Sequence, residues 1–582
     1  MSGPQLVPTL REQALLADGE RGAIVGPLGE ISWACFPGFS DPAILSSLIG
    51  GGGHYAITPL GRFVWGGYYE EGTLIWRSRW ILDTGAVIEC REALAMPADP
   101  SRMTLLRHLT AAVGEAELRV RLDLRPDFGR GRVRWRSHDG GCWTGTDGVV
   151  HARWFAPQGA GNNGDGLGMV VRVSPEVAHD FVLEVSTSPP TAMPPPARVM
   201  WDETQSRWSR SIPGLDGCAG RRDARHAVAV MTGLTTSTGG MVAAATTSLP
   251  ERADSGRSYD YRYVWIRDQA YAGVAASAAG ADSLLDAAVN FTTARLLDDG
   301  PGLRPLYRAS GEKVEREDEV ELSGYPGSQA VLAGNHAGTQ FQLDALGEAL
   351  QLFAEAARRG RLKPDGWRAA AIAADSIERR WHEPEAGIWE TQPAHWTHSR
   401  LVCSAGLRRM ARSDGAEERQ TARWLDVADS ILAECARTAV TADGRWRRAP
   451  DDPRVDAALL LASLRGAVPA DDPRTLRTLE AVLGDLTHDG YCYRFRPDER
   501  PLGEAEGAFN LCNFWVCLAH LQQGNVVEAG RWFERARAAC GPPGLFAEEF
   551  DATQRQFRGN LPQAFVHAEL LECAVRIGRA LS

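Results

Sequence analysis

Two glutamates carry the most direct chemistry in this chain. Glu390 ends the run Gly387-Ile388-Trp389-Glu390, and Glu548 opens the acid pair of Gly544-Leu545-Phe546-Ala547-Glu548-Glu549. Each acid stands near bulky apolar residues and a glycine. A carboxyl crowded by apolar groups tends to keep its proton, because its anion is poorly solvated there, while a carboxyl in a wetter setting stays ionised and can act as a base. Cleavage of a glycosidic bond by water requires such a pair. The two acids are far apart in the chain, so only a fold can unite them. Taken alone, either one also reads as a helix-capping or surface glutamate beside a core tryptophan, the commoner fate of an acidic residue.

The segment Ser258-Tyr259-Asp260-Tyr261-Arg262-Tyr263-Val264-Trp265-Ile266-Arg267-Asp268 is dense in aromatics, arginine and aspartate. Aromatic faces cover the apolar C–H face of a sugar ring, and charged side chains grip its hydroxyls by charge-assisted hydrogen bonds. The same residues could instead form a buried ion pair in a tyrosine-rich core.

Further motifs follow in order: Gly29-Glu30-Ile31-Ser32-Trp33, Thr246-Thr247-Ser248-Leu249-Pro250-Glu251, Glu321-Leu322-Ser323-Gly324-Tyr325-Pro326-Gly327-Ser328, Gly334-Asn335 and Gln340-x-Gln342-Leu343-Asp344. Later come Glu506-Gly507-Ala508-Phe509, Phe514-Trp515 and Gly559-Asn560-Leu561-Pro562-Gln563-Ala564-Phe565 with His567. Together with the two acid segments, the series resembles glycoside hydrolase family 15, the glucoamylases and bacterial trehalase-like proteins, along nearly the whole chain. The resemblance implies that Glu390 is the general acid and Glu548 the general base of an inverting reaction. It implies that Arg267 and Asp268 hold the hydroxyls of a terminal glucose, with Trp265 as an aromatic wall and Arg494 in the same subsite. Tyr325 and Trp389 are further candidate walls. Glu506 reads either as the residue that orients Arg494 or as an acid at a helix start.

The expected activity is exo-acting, inverting hydrolysis of short α-glucosides or α-glucans with release of β-glucose, with trehalase as the alternative. A catalytically inactive sugar-binding protein and a phosphorolytic enzyme are the readings from other classes. Three positions depart from the family's pattern: Leu332 in Ala330-Val331-Leu332, Gln392 two beyond the acid, and Ser404 in place of a tryptophan. They imply an altered leaving-group side and narrow activity on short substrates.

Composition sets the outer limits. A formal charge of -11 over 582 residues argues against a nucleic-acid partner. An apolar fraction of 44% supplies a core, and no run of about 20 apolar residues predicts a membrane span. Met1–Leu6 lacks a basic region followed by an apolar stretch, so no leader is expected. The 11 scattered cysteines suit reduced thiols in a cytoplasmic protein. His395 and His398 form the one ligand-spaced histidine pair and lack an evident third ligand, so neither a metal nor a cofactor is expected. The expected partner is an oligosaccharide or disaccharide substrate. The sequence leaves open the linkage cleaved and whether a homo-oligomer forms.

The elements that must position these residues change character along the chain. Up to about residue 215, short alternating segments such as Leu118–Leu124, Gly168–Val173 and Phe181–Val185 predict many strands. Ala227–Thr232 and Gly240–Thr246 read as two more. From about 255 onward, apolar residues recur every three to four positions, as in Pro364–Trp381, Glu417–Thr438, Pro473–Leu486 and Asn525–Cys540. Some eleven helices can be counted, which fits a helical solenoid or a six-hairpin barrel. The resemblance chooses between them. The expected fold is α+β and multidomain, with an N-terminal antiparallel β-sandwich over 1–250, connecting segment included, and a catalytic (α/α)6 barrel over 251–582.

Overall fold

The computed structural model describes residues 9–164, 166–252, 257–314, 316–328 and 330–582. The expectation drawn from Met1–Leu6 lies outside the described residues.

The N-terminal part holds two antiparallel sheets of eight strands each. In the first, Ala14–Ala17, Gly22–Val25, Glu30–Cys35, His54–Pro59, Ala116–Asp123, Leu167–Val173 and Gly161–Asn162 lie side by side, and Ala43–Leu45 also pairs with Glu30–Cys35. In the second the order is Arg134–Ser137, Cys142–Thr146, His151–Phe155, His179–Ser186, Arg102–Val113, Val87–Leu94, Trp76–Leu82 and Phe63–Tyr69. Sequence alternation decides which face turns inward, because side chains in a strand have a period of two. Along Ala116–Asp123, Leu118, Val120 and Leu122 are buried while Glu117, Arg119 and Arg121 are exposed. The inner faces meet through large rings, as where Tyr55 of the first sheet meets Trp154 of the second edge-on at 6.4 Å. The expected sandwich is present.

Helix α1 (Ala197–Ser211) follows the proline-rich connection. Twelve further helices build a closed double ring. They are α2 (Arg221–Leu234), α3 (Ile266–Ala279), α4 (Asp282–Asp299), α5 (Leu343–Arg358), α6 (Pro364–Arg380) and α7 (Thr397–Ala411). After them come α8 (Glu418–Thr438), α9 (Leu461–Leu464, led in by a 3-10 turn over Ala457–Leu460), α10 (Pro473–Asp485), α11 (Asn510–Gln522), α12 (Val526–Arg537) and α13 (Ala564–Leu581). The odd-numbered members from α3 to α13 form the inner ring, each against the next, with α13 closing on α3. The even-numbered members lie outside, α2 against α13 and α6 against α5. This is the expected (α/α)6 barrel.

Composition explains the division into rings. Inner helices are buried almost all round; in α3 every residue from Ile266 to Ser277 is buried. Outer helices bury one stripe, as α6 does with Ala369, Ala370, Ala373, Ala374 and Ile377. Small residues let inner helices approach closely. A Cβ on Gly406 of α7 would lie 2.5 Å from the carbonyl oxygen of Gly347 on α5, so the two backbones touch there.

Two sequence expectations are corrected. Ala227–Thr232 is not a strand but the centre of α2, because Ala224, Ala227, Val228 and Met231 recur at helical spacing and face α13. Helix α2 is thereby the first outer helix of the barrel. Gly240–Thr246 joins no sheet and bends at Ala243 and Ala245; its peptides bond to neighbouring segments, as where Ala243 N–H donates to the Tyr263 carbonyl.

The sandwich braces the segment that leads into α3. Trp33 Nε1 donates to the Ala245 carbonyl at 2.8 Å. The Arg262 guanidinium is buried between the two parts. It pairs with Asp260 at 2.6 Å and donates to the Asp41 carbonyl at 2.9 Å. Among the described residues, no helix is long and apolar enough to cross a membrane. All eleven cysteines lie within the described residues and are unpaired.

Candidate active site

The inner helices begin at one end of the barrel, and a cavity of about 500 Å³ opens there. Its lining includes Tyr261, Trp265, Arg267, Asp268, Trp389, Glu390, Arg494, Phe509, Glu548, Gln563 and Phe565. Arg267 and Asp268 stand in the first turn of α3, Phe509 directly precedes α11, and Gln563 and Phe565 flank the start of α13. Helix N-termini carry unsatisfied N–H groups and a positive dipole end, which favour carboxylates nearby. Both Asp268 and Asp344, in the first turn of α5, occupy such positions.

Glu390 sits on the loop before α7. Its Oε1 accepts from Trp265 Nε1 at 2.6 Å and Gln342 Nε2 at 3.0 Å, with Arg267 Nη2 at 3.5 Å. Its side chain keeps 22% exposure. The apolar crowding expected from Ile388 and Trp389 is therefore not what surrounds this carboxyl; three donors converge on it instead. Trp389 turns its Nε1 to Asp456 at 2.9 Å and packs edge-on against Phe509 at 5.3 Å.

The loop's shape is forced. Glu390 has φ +55°, a left-handed conformation rare for a residue with a side chain. Gly387 has φ +72°, and a Cβ there would lie 2.6 Å from the Trp396 ring. Buried Glu385 pins the turn by accepting from Gly387 N–H at 2.6 Å and Leu343 N–H at 3.3 Å, which ties the loop to the start of α5. Burial, then the charge of Asp344, push its carboxyl up to about 8.

Glu548 faces the cavity from the other acid segment. Tyr261 Oη donates to its carboxylate, with oxygens at 3.0 and 3.2 Å. Burial first, then the charges of Glu251 and Glu549, raise this carboxyl well above the ordinary range, while Arg494 and Tyr261 act in the other direction. Glu549 begins a short strand that pairs with Ala508–Phe509, so its side chain points away from that of Glu548. It is fully buried and accepts from Gly507 N–H at 2.7 Å. Arg257 links this cluster, reaching Glu251 at 2.5 Å, Glu506 at 3.2 Å and Glu549 at 3.8 Å.

Arg267 and Asp268 pair only loosely with each other, with 3.9 Å between Nε and Oδ1. Arg267 bonds more closely to Gln342 at 2.8 Å and Asp344 at 3.1 Å. Burial first pushes Asp268 up to about 7, against the pull of Arg267. Glu506 orients Arg494 through hydrogen bonds of 2.8–3.1 Å, and the guanidinium lies 4.8 Å over Phe509.

Seven of the eight predicted site residues thus meet in one cavity. Tyr325 does not join them; it lies beside Leu10 and Arg558. The three departures from the family pattern also lie off the cavity lining. Ser404 is buried on α7 and donates to the Ala428 carbonyl of α8 at 2.8 Å, so a tryptophan there would not reach the cavity. Gln392 is exposed, and Leu332 bonds through its backbone to Thr247 and Ser248. His395 contacts Arg400, and His398 is buried on α7 with neither ring nitrogen partnered. Among the described residues no group of three His, Cys, Asp or Glu could hold a metal ion. Tyr261, Gln342, Asp344 and Gln563 were inside quoted motifs, but nothing in their spacing marked them as site residues.

Two carboxyls facing one cavity at the mouth of an (α/α)6 barrel suit cleavage of a glycosidic bond, and the sequence comparison supplies the class. Residues 227–575 match the family model for glycosyl hydrolases family 15, and residues 1–150 match that for the trehalase-like N-terminal domain. The chain belongs to glycosyl hydrolases family 15 and is an enzyme acting on O-glycosyl bonds.

Among individual proteins, it is 30% identical to the trehalase of Mycolicibacterium smegmatis over 626 aligned positions, covering 100% of this chain and 93% of that one. It is 29% identical to the trehalase of Mycobacterium tuberculosis, covering 98% and 90%. A bacterial glucoamylase solved in complex with acarbose shares the fold, with a TM-score of 0.73 at 14% identity over 100% of this chain and 96% of that one.

Proposed function

We propose that the chain is an inverting, exo-acting α-glucoside hydrolase whose substrate is trehalose. One observation carries this reading. Glu390 and Glu548 line the same cavity, and each is held by a different donor, the Trp265 N–H and the Tyr261 hydroxyl. Glu390 protonates the glycosidic oxygen as the bond breaks. Glu548 removes a proton from the water that attacks the anomeric carbon from the opposite face. Arg267, Asp268 and Arg494 bind the hydroxyls of the terminal glucose, while Trp265 and Trp389 form walls. Glu549, turned away and tied to Gly507, takes no part in water activation.

Support for trehalose comes from the curated relatives, which carry that name over nearly their full length.

Trehalose joins two glucose units through both anomeric carbons in the α configuration. Inversion at one carbon yields β-glucose, and the departing unit remains α. Early NMR spectra of trehalose hydrolysis should therefore show equal α- and β-glucose. Release of α-glucose alone would overturn inversion and require carboxyls about 5–5.5 Å apart. Turnover of maltose or isomaltose without turnover of trehalose would overturn the substrate and keep the reaction class.

A further inference from the structure

With Glu390 as the acid, its carboxyl must reach the oxygen that joins the glucose in the cavity to the departing unit. The departing unit therefore lies on the solvent side of Glu390, beyond the grip of Arg267, Asp268 and Arg494. The wall that continues outward there is built by the segment before α3 and by the 3-10 turn His336–Thr339. The Asn335 side chain fixes this turn in place. It accepts from Ala337 N–H at 2.9 Å and donates to the Asp260 carbonyl at 3.1 Å. Buried Ala337 packs in one cluster with Trp265 and Tyr263.

A row of rings runs along this wall. Tyr261 meets Trp265 edge-on at 5.6 Å and lies within 9° of parallel to Tyr259 at 6.4 Å. Tyr259 in turn meets the His336 ring at 6.1 Å. Exposure rises along the row: Trp265 is buried, Tyr259 is half-buried, and His336 keeps 48% of its side chain exposed. Glu317 steers the imidazole, since its Oε2 accepts from the His336 backbone N–H at 3.1 Å and lies 3.3 Å from Nδ1. The bond to Glu317 first, and the charge of Glu390 as well, raise the imidazole above its usual value against burial. Half-buried Gln340 adds an amide beside the acid. Gln342 Nε2 donates both to Glu390 Oε1 at 3.0 Å and to Gln340 Oε1 at 3.1 Å, which leaves the Gln340 amide nitrogen to donate elsewhere.

Resting on the reaction proposed above, we propose that Tyr259, His336 and Gln340 form the subsite of the departing sugar and set the preference for a sugar leaving group. The face of Tyr259 covers a C–H face of the second ring. His336 Nε2 and the Gln340 amide bond its hydroxyls, which both donate and accept. Gln340 stands one side chain away from Glu390, through Gln342, so the hydroxyl it meets belongs to the unit whose bridging oxygen Glu390 protonates.

The test compares kcat/KM for trehalose with kcat/KM for α-glucosyl fluoride, whose leaving group is a single atom and cannot reach this wall. The ratio of the two does not depend on how much of a variant is folded. His336→Ala combined with Gln340→Ala should lower the ratio at least about tenfold. Tyr259→Leu should lower it too, and Tyr259→Phe, which keeps the ring, should lower it less. A ratio unchanged in the double variant, whether the two activities are kept or lost together, would overturn the subsite. Equal losses in the two Tyr259 variants would overturn the role given to its ring. A wild type that cleaves maltose and not trehalose would overturn the trehalose reading alone; the ratio is then taken with maltose, and the same tenfold fall decides.

Discussion

At Glu548 the proposed chemistry depends on when the carboxyl is ionised. Burial and the neighbouring charge of Glu251 both favour its protonated form. A base must be ionised to act, so kcat/KM should fall on the acid side as Glu548 takes up its proton. Glu251→Gln removes the neighbouring charge and should move that acid limb to lower pH; an unmoved limb, or one moved upward, would reject the coupling. The acid is tested separately. Glu390→Gln should lower kcat on trehalose by about 10²–10⁴, and less on α-glucosyl fluoride, whose leaving group needs little protonation. Equal losses on both substrates would reject Glu390 as the acid. At this scale the sequence was partly misleading. Ile388 and Trp389 beside Glu390 suggested an apolar setting, but the carboxyl's neighbours are Trp265, Gln342 and Arg267, brought from other segments.

At the scale of elements, the loop before α7 is tied to the start of α5 through Glu385. That carboxyl is fully buried and pushed up to about 8, chiefly by desolvation. A carboxyl raised in the folded state stabilises the fold fully below its unfolded value near 4.5, and that contribution is lost as pH rises through about 8. Glu385→Gln keeps an oxygen that can accept from Gly387 and Leu343 but cannot ionise. Its melting temperature should therefore gain on the wild type between about pH 5 and about pH 8. A wild type whose advantage grows over that range would contradict this account. The helices themselves were legible from apolar spacing, often within two residues, as with Pro364–Arg380 and Glu418–Thr438. Helix α2 was missed because a short apolar window such as Ala227–Thr232 fits strand and helix alike.

For the whole molecule, the sandwich braces the segment that leads into α3. Arg262 lies between Tyr261 and Tyr263, is buried against Asp260, and bonds to the backbone at Asp41. Its guanidinium also stands 5.8 Å over Trp33 and 5.7 Å over Phe128 of the sandwich. Arg262→Met leaves Asp260 buried without its cation and should cost about 3–5 kcal/mol of stability, measured by denaturant unfolding. Because Tyr261 is the next residue, kcat should fall in the folded fraction as well. Full activity in a destabilised variant would show that the sandwich only stabilises the barrel and does not position Tyr261.

The sequence by itself determined most element types, the sandwich-then-barrel order through family resemblance, and most residues that line the cavity. Periodicity is a local property, and motif order survives in the linear chain. Tertiary structure alone decided which side chains meet. It gave Arg267 to Asp344 and Gln342 more closely than to Asp268, turned Glu549 away from the cavity, placed Tyr325 beside Leu10, and put Ser404 between α7 and α8. These outcomes depend on the approach of segments remote in sequence and on which groups closure of the inner ring desolvates. Neither is written in the spacing of residues along one segment.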